Sequence, residues 1–150
     1  MTAALRNTGL PDPEYMDQMY RDVPSKRFFA WVIDVVLISI ITGVLTLFTF
    51  MTALFFLPLL YGVTSFLYRW GTIAASSATP GMRIMAIGLR TAEGERLSGS
   101  MAFLHTAGYF FSVVTFPLQL ISIVMMLTTS RRQGLTDAIL GTAALNKNTR

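Results

Sequence analysis

From Phe28 to Tyr68 the chain carries one charged residue, Asp34, in an otherwise apolar and hydroxyl-bearing run. A helix of that length would reach roughly 60 Å, about twice the hydrocarbon core of a bilayer. The pattern therefore predicts two membrane spans folded back on each other, about Arg27 to Phe48 and about Ala53 to Trp70. The link from Thr49 to Thr52 is short and uncharged, which favours antiparallel neighbours. A second block without formal charge runs from Leu97 to Ser130. It is too long for one straight crossing, and Pro117 lies near its middle as a natural break. Two shorter helices are expected there, about Ser100 to Thr115 and about Leu118 to Thr129, each roughly 20 Å long. Arms of that length cross fully only with tilt or bilayer thinning, or else form a re-entrant pair. One long tilted helix is the competing arrangement.

Between the blocks the pattern changes. Thr79-Pro80-Gly81 is a turn signal. Met82 to Thr91 alternates loosely, which predicts a strand, and Ala92-Glu93-Gly94-Glu95 reads as a hairpin turn. After the second block, Leu135 to Leu140 is expected to form a short surface helix ended by Gly141. Thr142 to Leu145 is expected to be a strand, pairing with Met82 to Thr91. Residues 1–25 are polar and hold Pro11, Pro13 and Pro24, so a mostly irregular tail is expected, with Tyr15 to Tyr20 as a possible helical turn on the membrane surface. The division is a tail over 1–25, a membrane domain over 26–146 and a short tail over 147–150.

Composition sharpens this reading. The chain is 53% hydrophobic and 13% charged, whereas a soluble domain carries about 25% charged residues. The net charge of +4 is not gathered into a basic face, so nucleic acid is not an expected partner. The basic residues flank the apolar blocks instead. In the hairpin arrangement Lys26, Arg27, Arg69, Arg83, Arg90, Arg96, Arg131 and Arg132 fall on one side, which the positive-inside rule makes cytoplasmic. Trp31 and Trp70 fall near that same interface, as an aromatic belt places them. Both termini are then cytoplasmic, with the bacterial inner membrane as the expected location. The first 25 residues carry four acidic residues and no apolar core, so the first span is expected to serve as an uncleaved anchor. The expected fold is an all-α membrane protein: an antiparallel transmembrane helical bundle of three to four segments with a small cytoplasmic β element.

Asp34 is the sharpest chemical signal. It lies about 10 Å along the helix from Arg27, and an ionised Asp at mid-span costs roughly 2.5–3.5 kcal/mol on insertion scales. Such residues face protein or water and either mark ion paths or bind segments together. Arg27 and Asp34 share a face, yet helical side chains lean toward the N-terminus, so Asp34 needs a partner from another segment. That face also carries Leu37, Ile38 and Ile41 and should be the packed one. Arg27 either snorkels to the phosphates or pairs with Asp137. His105 titrates near neutrality and is a candidate proton carrier, with simple hydrogen bonding as the plainer role. Arg69, Arg131 and Arg132 are secondary candidates. Gln119 and the intramembrane Ser and Thr residues are expected to bond between helices. There is no Cys and a single His, so no metal site is expected. Without a phosphate loop or nucleophile elbow, neither a cofactor nor an enzymatic activity is expected.

Several of these elements, in order, resemble the RDD family of small membrane proteins, named for an Arg and two Asp residues. Arg27 opens the first span and Asp34 follows within it. Thr79-Pro80-Gly81-Met82-Arg83 is similar to the family's Pro-Gly-Lys element, with Arg83 carrying the charge one residue later than the usual Lys. Arg131-Arg132-Gln133-Gly134-Leu135-Thr136-Asp137 resembles the basic segment leading to the second Asp, with Thr136 where His is common, and Gly141-Thr142 matches the Gly-Thr that follows. Relatives often carry Arg at the start of the third block; this chain has Ser100 to Leu104 and then His105. The resemblance covers about residues 25–146 and implies a membrane domain with no generally established activity, cation/proton antiport having been attributed to some members. Two functional classes follow: a membrane scaffold or accessory protein, and a small cation/proton transporter using Asp34. The partners expected are the lipid bilayer, a further copy of the chain or another membrane protein, and, for the transporter, a small cation or proton.

Overall fold

The computed structural model describes residues 9–147. Helix α1 runs Val23–Phe48 and α2 runs Leu57–Ser76, joined through a single 3-10 segment, Thr52–Phe56. Pro24 and Pro58 sit in the first turns of these helices, where a missing N–H is not needed. The link turns through two left-handed residues, Phe50 and Met51. Helices α4 (Gly99–Val114) and α5 (Phe116–Thr128) come from the third block. They are bent by 116° at Thr115, so the block is neither one straight helix nor a closed antiparallel pair. Pro117 opens α5 from its first turn, and Ser112 Oγ donates to Gln119 Oε1 across the bend at 3.0 Å. By length and composition α1 and α2 are the two helices able to cross a membrane, and the bent pair makes a third if counted as one span.

The spans are inverted relative to a soluble bundle. On α1, beyond Val23 in the first turn, the buried positions are Ala30, Asp34, Ile38, Thr42 and Thr46, one every fourth residue, and on α2 they are Ser65, Arg69 and Ile73. The inner stripe is therefore narrow and largely polar. Large apolar side chains such as Phe29, Val36, Ile40, Leu47, Leu59 and Leu67 point outward. Ile41, expected on the packed face, is among the exposed residues, because a four-residue repeat drifts away from the position seven beyond Asp34. A contiguous exposed apolar surface of this extent belongs against lipid or protein, not water.

The hydrophobic core lies at one end, beneath the spans, and this end is called the polar end below. Val23, Ile73, Ile87, Leu89, Leu97 and Ala144 form it, drawn from elements far apart in sequence. Strand β1 (Ile87–Arg90) pairs antiparallel with β2 (Ala143–Asn146), Leu89 facing Ala144. That pairing agrees with the expected one, and helix α6 (Leu135–Leu140) is closed by Gly141 at φ 73° as expected. The strand is shorter than expected, because Pro80–Ile84 is a helix, α3. Thr79 caps it by accepting from Met82 N at 3.2 Å, and Ala86, at φ 56°, turns the chain into β1. Ala92 to Glu95 makes a turn with Gly94 at φ 82°, but residues 91–98 lead into α4, not into a paired strand.

From residue 9 onward the N-terminal segment also differs from a solvated tail; residues 1–8 of that expected tail, and 148–150 of the C-terminal one, lie outside the described residues. Leu10 and Tyr20 are buried with Ala143 and Leu145, Asp17–Met19 forms one 3-10 turn, and Asn146 Nδ2 donates to the carbonyls of Gln18 and Arg21 at 2.8 and 2.9 Å. Lys26 Nζ donates to Asn146 Oδ1 at 2.7 Å. Two large apolar side chains and the Asn146 amide together dock a segment whose average composition is polar.

Helix α3 packs directly on α1 at Gly81. A Cβ there would stand 2.2 Å from the Ala30 carbonyl oxygen and 2.9 Å from the Asp34 carboxyl carbon. Gly81→Ala is expected to push α3 off α1 and to lower thermal stability by about 2 kcal/mol or more, as overpacking against backbone does. Thermal unfolding in detergent checks this; an unchanged midpoint would mean that the α1–α3 contact yields freely.

Candidate functional site

Asp137 lies at the third position of α6 and is fully buried. Its Oδ2 accepts from Arg27 Nη1 at 2.5 Å and from Gly134 N at 3.2 Å. Its Oδ1 meets His105 Nε2 at 2.9 Å and accepts from Thr142 Oγ1 at 2.9 Å. With an ionised carboxylate, His105 Nε2 carries the proton in that bond. Burial pushes the carboxyl up, but the Arg27 guanidinium and the bond from His105 outweigh it and hold Asp137 well below the usual carboxylate range. Four segments thus meet on one carboxylate: the start of α1, the first half of α4, the turn into α6 and the entry to β2. Gly134 lets α6 close on α5, where a Cβ would collide with Ser122 Oγ and Met126 at 2.6 Å, and Ser122 Oγ accepts from Leu135 N at 3.0 Å.

Asp34 forms a second centre. It is buried and accepts from Tyr68 Oη at 2.8 Å, from Thr79 Oγ1 at 2.5 Å and from Gly81 N at 2.9 Å. The partners do come from other segments, α2 and the start of α3, and none is a cation. The carboxylate sits over the N–H groups at the start of α3, where a negative charge is favoured. Arg27 and Asp34 do not pair, in line with the lean of helical side chains. Tyr68, Thr79, Gly81 and Thr142 were not singled out as partners by the sequence. Thr79-Pro80-Gly81 and Gly141-Thr142 were visible as turns, but nothing local shows which carboxylate each turn serves.

The other candidates separate. Arg69 lies inside α2, buried, with its guanidinium 4.4 Å from the centre of the Tyr109 ring. The flanking-charge reading placed it at the interface. Because α2 continues to Ser76, it falls within the helix instead. Arg131 is buried near Tyr20, and Arg132 donates to the Leu127 carbonyl at 2.5 Å. Trp31 Nε1 donates to Tyr109 Oη at 2.9 Å and Trp70 Nε1 to the Gly99 carbonyl at 3.0 Å. A ring cluster of Phe66, Trp70 and Phe103 packs α2 on α4. Among the described residues no group of His, Asp and Glu is arranged to hold a metal.

A cavity of about 710 Å³ joins the two centres, with Asp34, Arg69, His105 and Asp137 in its wall and Phe28, Phe116, Ile123 and Leu127 at its apolar side.

The model of the RDD family matches residues 23–141, most of the chain and both carboxylate centres. The chain belongs to the RDD family. Neither the curated proteins nor the solved structures include a match to it. This RDD chain is thus a membrane-protein domain by family and by its apolar helices, with Arg27 and Asp137 in one ion pair and Asp34 in a separate hydrogen-bonded clamp.

Proposed function

We propose that this RDD protein is a non-enzymatic membrane scaffold or accessory protein, in which Asp34 and Asp137 hold the fold together and do not carry protons. The observation behind this reading is that protein donors reach both oxygens of each carboxylate: three donors on Asp34, and Arg27, Gly134, His105 and Thr142 on Asp137. A carrier must release and rebind its proton each cycle, and every such step here breaks several buried bonds. The exposed apolar faces of α1 and α5 are the surfaces offered to lipid, to a second copy or to another membrane protein. We place the polar end and both termini in the cytoplasm of a bacterium, following the positive-inside rule.

The competing reading, cation/proton antiport through Asp34, is favoured by one observation: Asp34 and Asp137 line the same cavity. Purified protein in liposomes separates the two. No cation flux driven by a pH gradient is expected; flux that Asp34→Asn abolishes while folding persists would establish the antiporter. A reporter fused after Arg150 is expected to be active only in cytoplasmic form, and periplasmic activity would reverse the topology.

A further inference from the structure

The cavity holds a cation with nothing to neutralise it at hydrogen-bonding distance. Arg69 is 7% exposed, and among the described residues its guanidinium makes no hydrogen bond or ion pair. It packs on the face of the Tyr109 ring and lies near the Tyr68 hydroxyl, and neither neutralises it. Thr106, in the same wall, has a buried hydroxyl without a partner. A guanidinium offers five N–H donors in a planar fork suited to carboxylate and phosphate oxygens, and here Nε is both buried and without a partner, which is costly. The nearby acids do not meet them: Asp137 is taken by Arg27, and Asp34 by its three donors.

The rest of the cavity is apolar, and its mouth is identifiable. Phe28, Phe116, Ile123 and Leu127 line it and are at the same time exposed. Helix α5 packs on α4 and α6 without substantial packing on α1, which leaves the gap between them open on the apolar flank. A hydrocarbon chain can enter from that flank while an oxyanion reaches Arg69. The volume falls within the usual 300–1,000 Å³ of small-molecule sites.

We infer that the cavity binds an amphipathic anion, with a phosphate or carboxylate head on Arg69 and Thr106 and a hydrocarbon tail leaving between α1 and α5. Lysophosphatidic acid and oleate carry the required head and tail, lysophosphatidylcholine carries a phosphate already offset by its choline, and inorganic phosphate has no tail. The inference stands apart from the question of proton transport, since Arg69 belongs to neither carboxylate clamp.

The test is thermal unfolding of the full chain in a non-ionic detergent, with each of these four probes in turn. Lysophosphatidic acid and oleate are expected to raise the midpoint by roughly 8 °C at about one hundred times Kd, and lysophosphatidylcholine far less. Arg69→Gln should remove the shift. Arg21→Gln, on an exposed arginine, should keep it and so controls for charge added to the micelle. Should Arg69→Gln not fold, Arg69→Lys keeps the charge without the fork and should weaken binding at least tenfold. A photoreactive oleate should then label residues of α1 and α5 at the mouth in the native chain. An equal response to inorganic phosphate would assign the site to free phosphate and overturn the amphiphile. A shift unaffected at Arg69, or labelling spread over all the apolar faces, would overturn the site itself.

Discussion

Asp137→Ala is expected to cost about 3–5 kcal/mol of stability, because it strands a cation in a largely buried position. Arg27 loses the carboxylate it holds at 2.5 Å, with 14% of its side chain exposed, and His105, Thr142 and Gly134 each lose an acceptor. Arg27→Ala should cost a similar amount by leaving the buried carboxylate without its main cation. The double variant should lose much less than the sum, since the two residues act as one unit. Denaturation of the four proteins in detergent measures this, and additive losses would mean that the pair does not close the polar end. The same site predicts a response to acid. The folded carboxyl lies below its ordinary value of 3.8, so its contribution is fully present above that value and is lost as pH falls through the lower folded value. Stability should drop in strong acid, and Asp137→Asn, already destabilised, should show a flatter decline below about pH 4.

Asp34→Leu is expected to be nearly as damaging, despite placing an apolar residue in an apolar helix. The substitution removes the acceptor for Tyr68, Thr79 and Gly81, two of which are fully enclosed. At about 1–3 kcal/mol for each buried donor left unmet, a loss on the order of 4 kcal/mol follows. Asp34→Asn keeps one acceptor oxygen and should lose about half as much. The sign is informative, because a residue kept only for ion chemistry would be replaced by Leu with a gain in stability. Thermal unfolding that finds Asp34→Leu at or above the native midpoint would show that the α1–α3 clamp contributes nothing.

Much of this arrangement was legible before any coordinates. The lone carboxylate in a long apolar run had to be enclosed, and the N-terminal lean of helical side chains argued against a pair with Arg27 on the same face. Gly141 after Leu135 to Leu140 marked the end of α6, and the polar ends of both hydrophobic blocks brought Arg27 near Asp137. Other features depended on contacts that no local pattern records. Met82 to Ile84 reads as the start of a strand after a turn, but Thr79 caps Pro80–Ile84 as a helix and Asp34 seats its first turn from far along the chain. Arg69 resembles an interfacial charge when α2 is ended at Trp70; six further residues of helix put it inside. Leu10 and Tyr20 are too few to raise the hydropathy of a proline-rich segment, yet together with Asn146 they dock it.

The two clamps also differ in when they can form. Asp34 lies 45 and 47 residues from Thr79 and Gly81, whereas Arg27 and Asp137 are 110 residues apart. At about 5–20 residues per second, a ribosome needs roughly 5–20 s between making Arg27 and making its partner. Once Thr79 and Gly81 have been made, Asp34 can close its clamp, while the guanidinium at the head of α1 still waits for a segment not yet translated. A nascent chain that stops before Gly134 leaves that guanidinium, His105 and one edge of β1 without the partners that Asp137 and β2 supply.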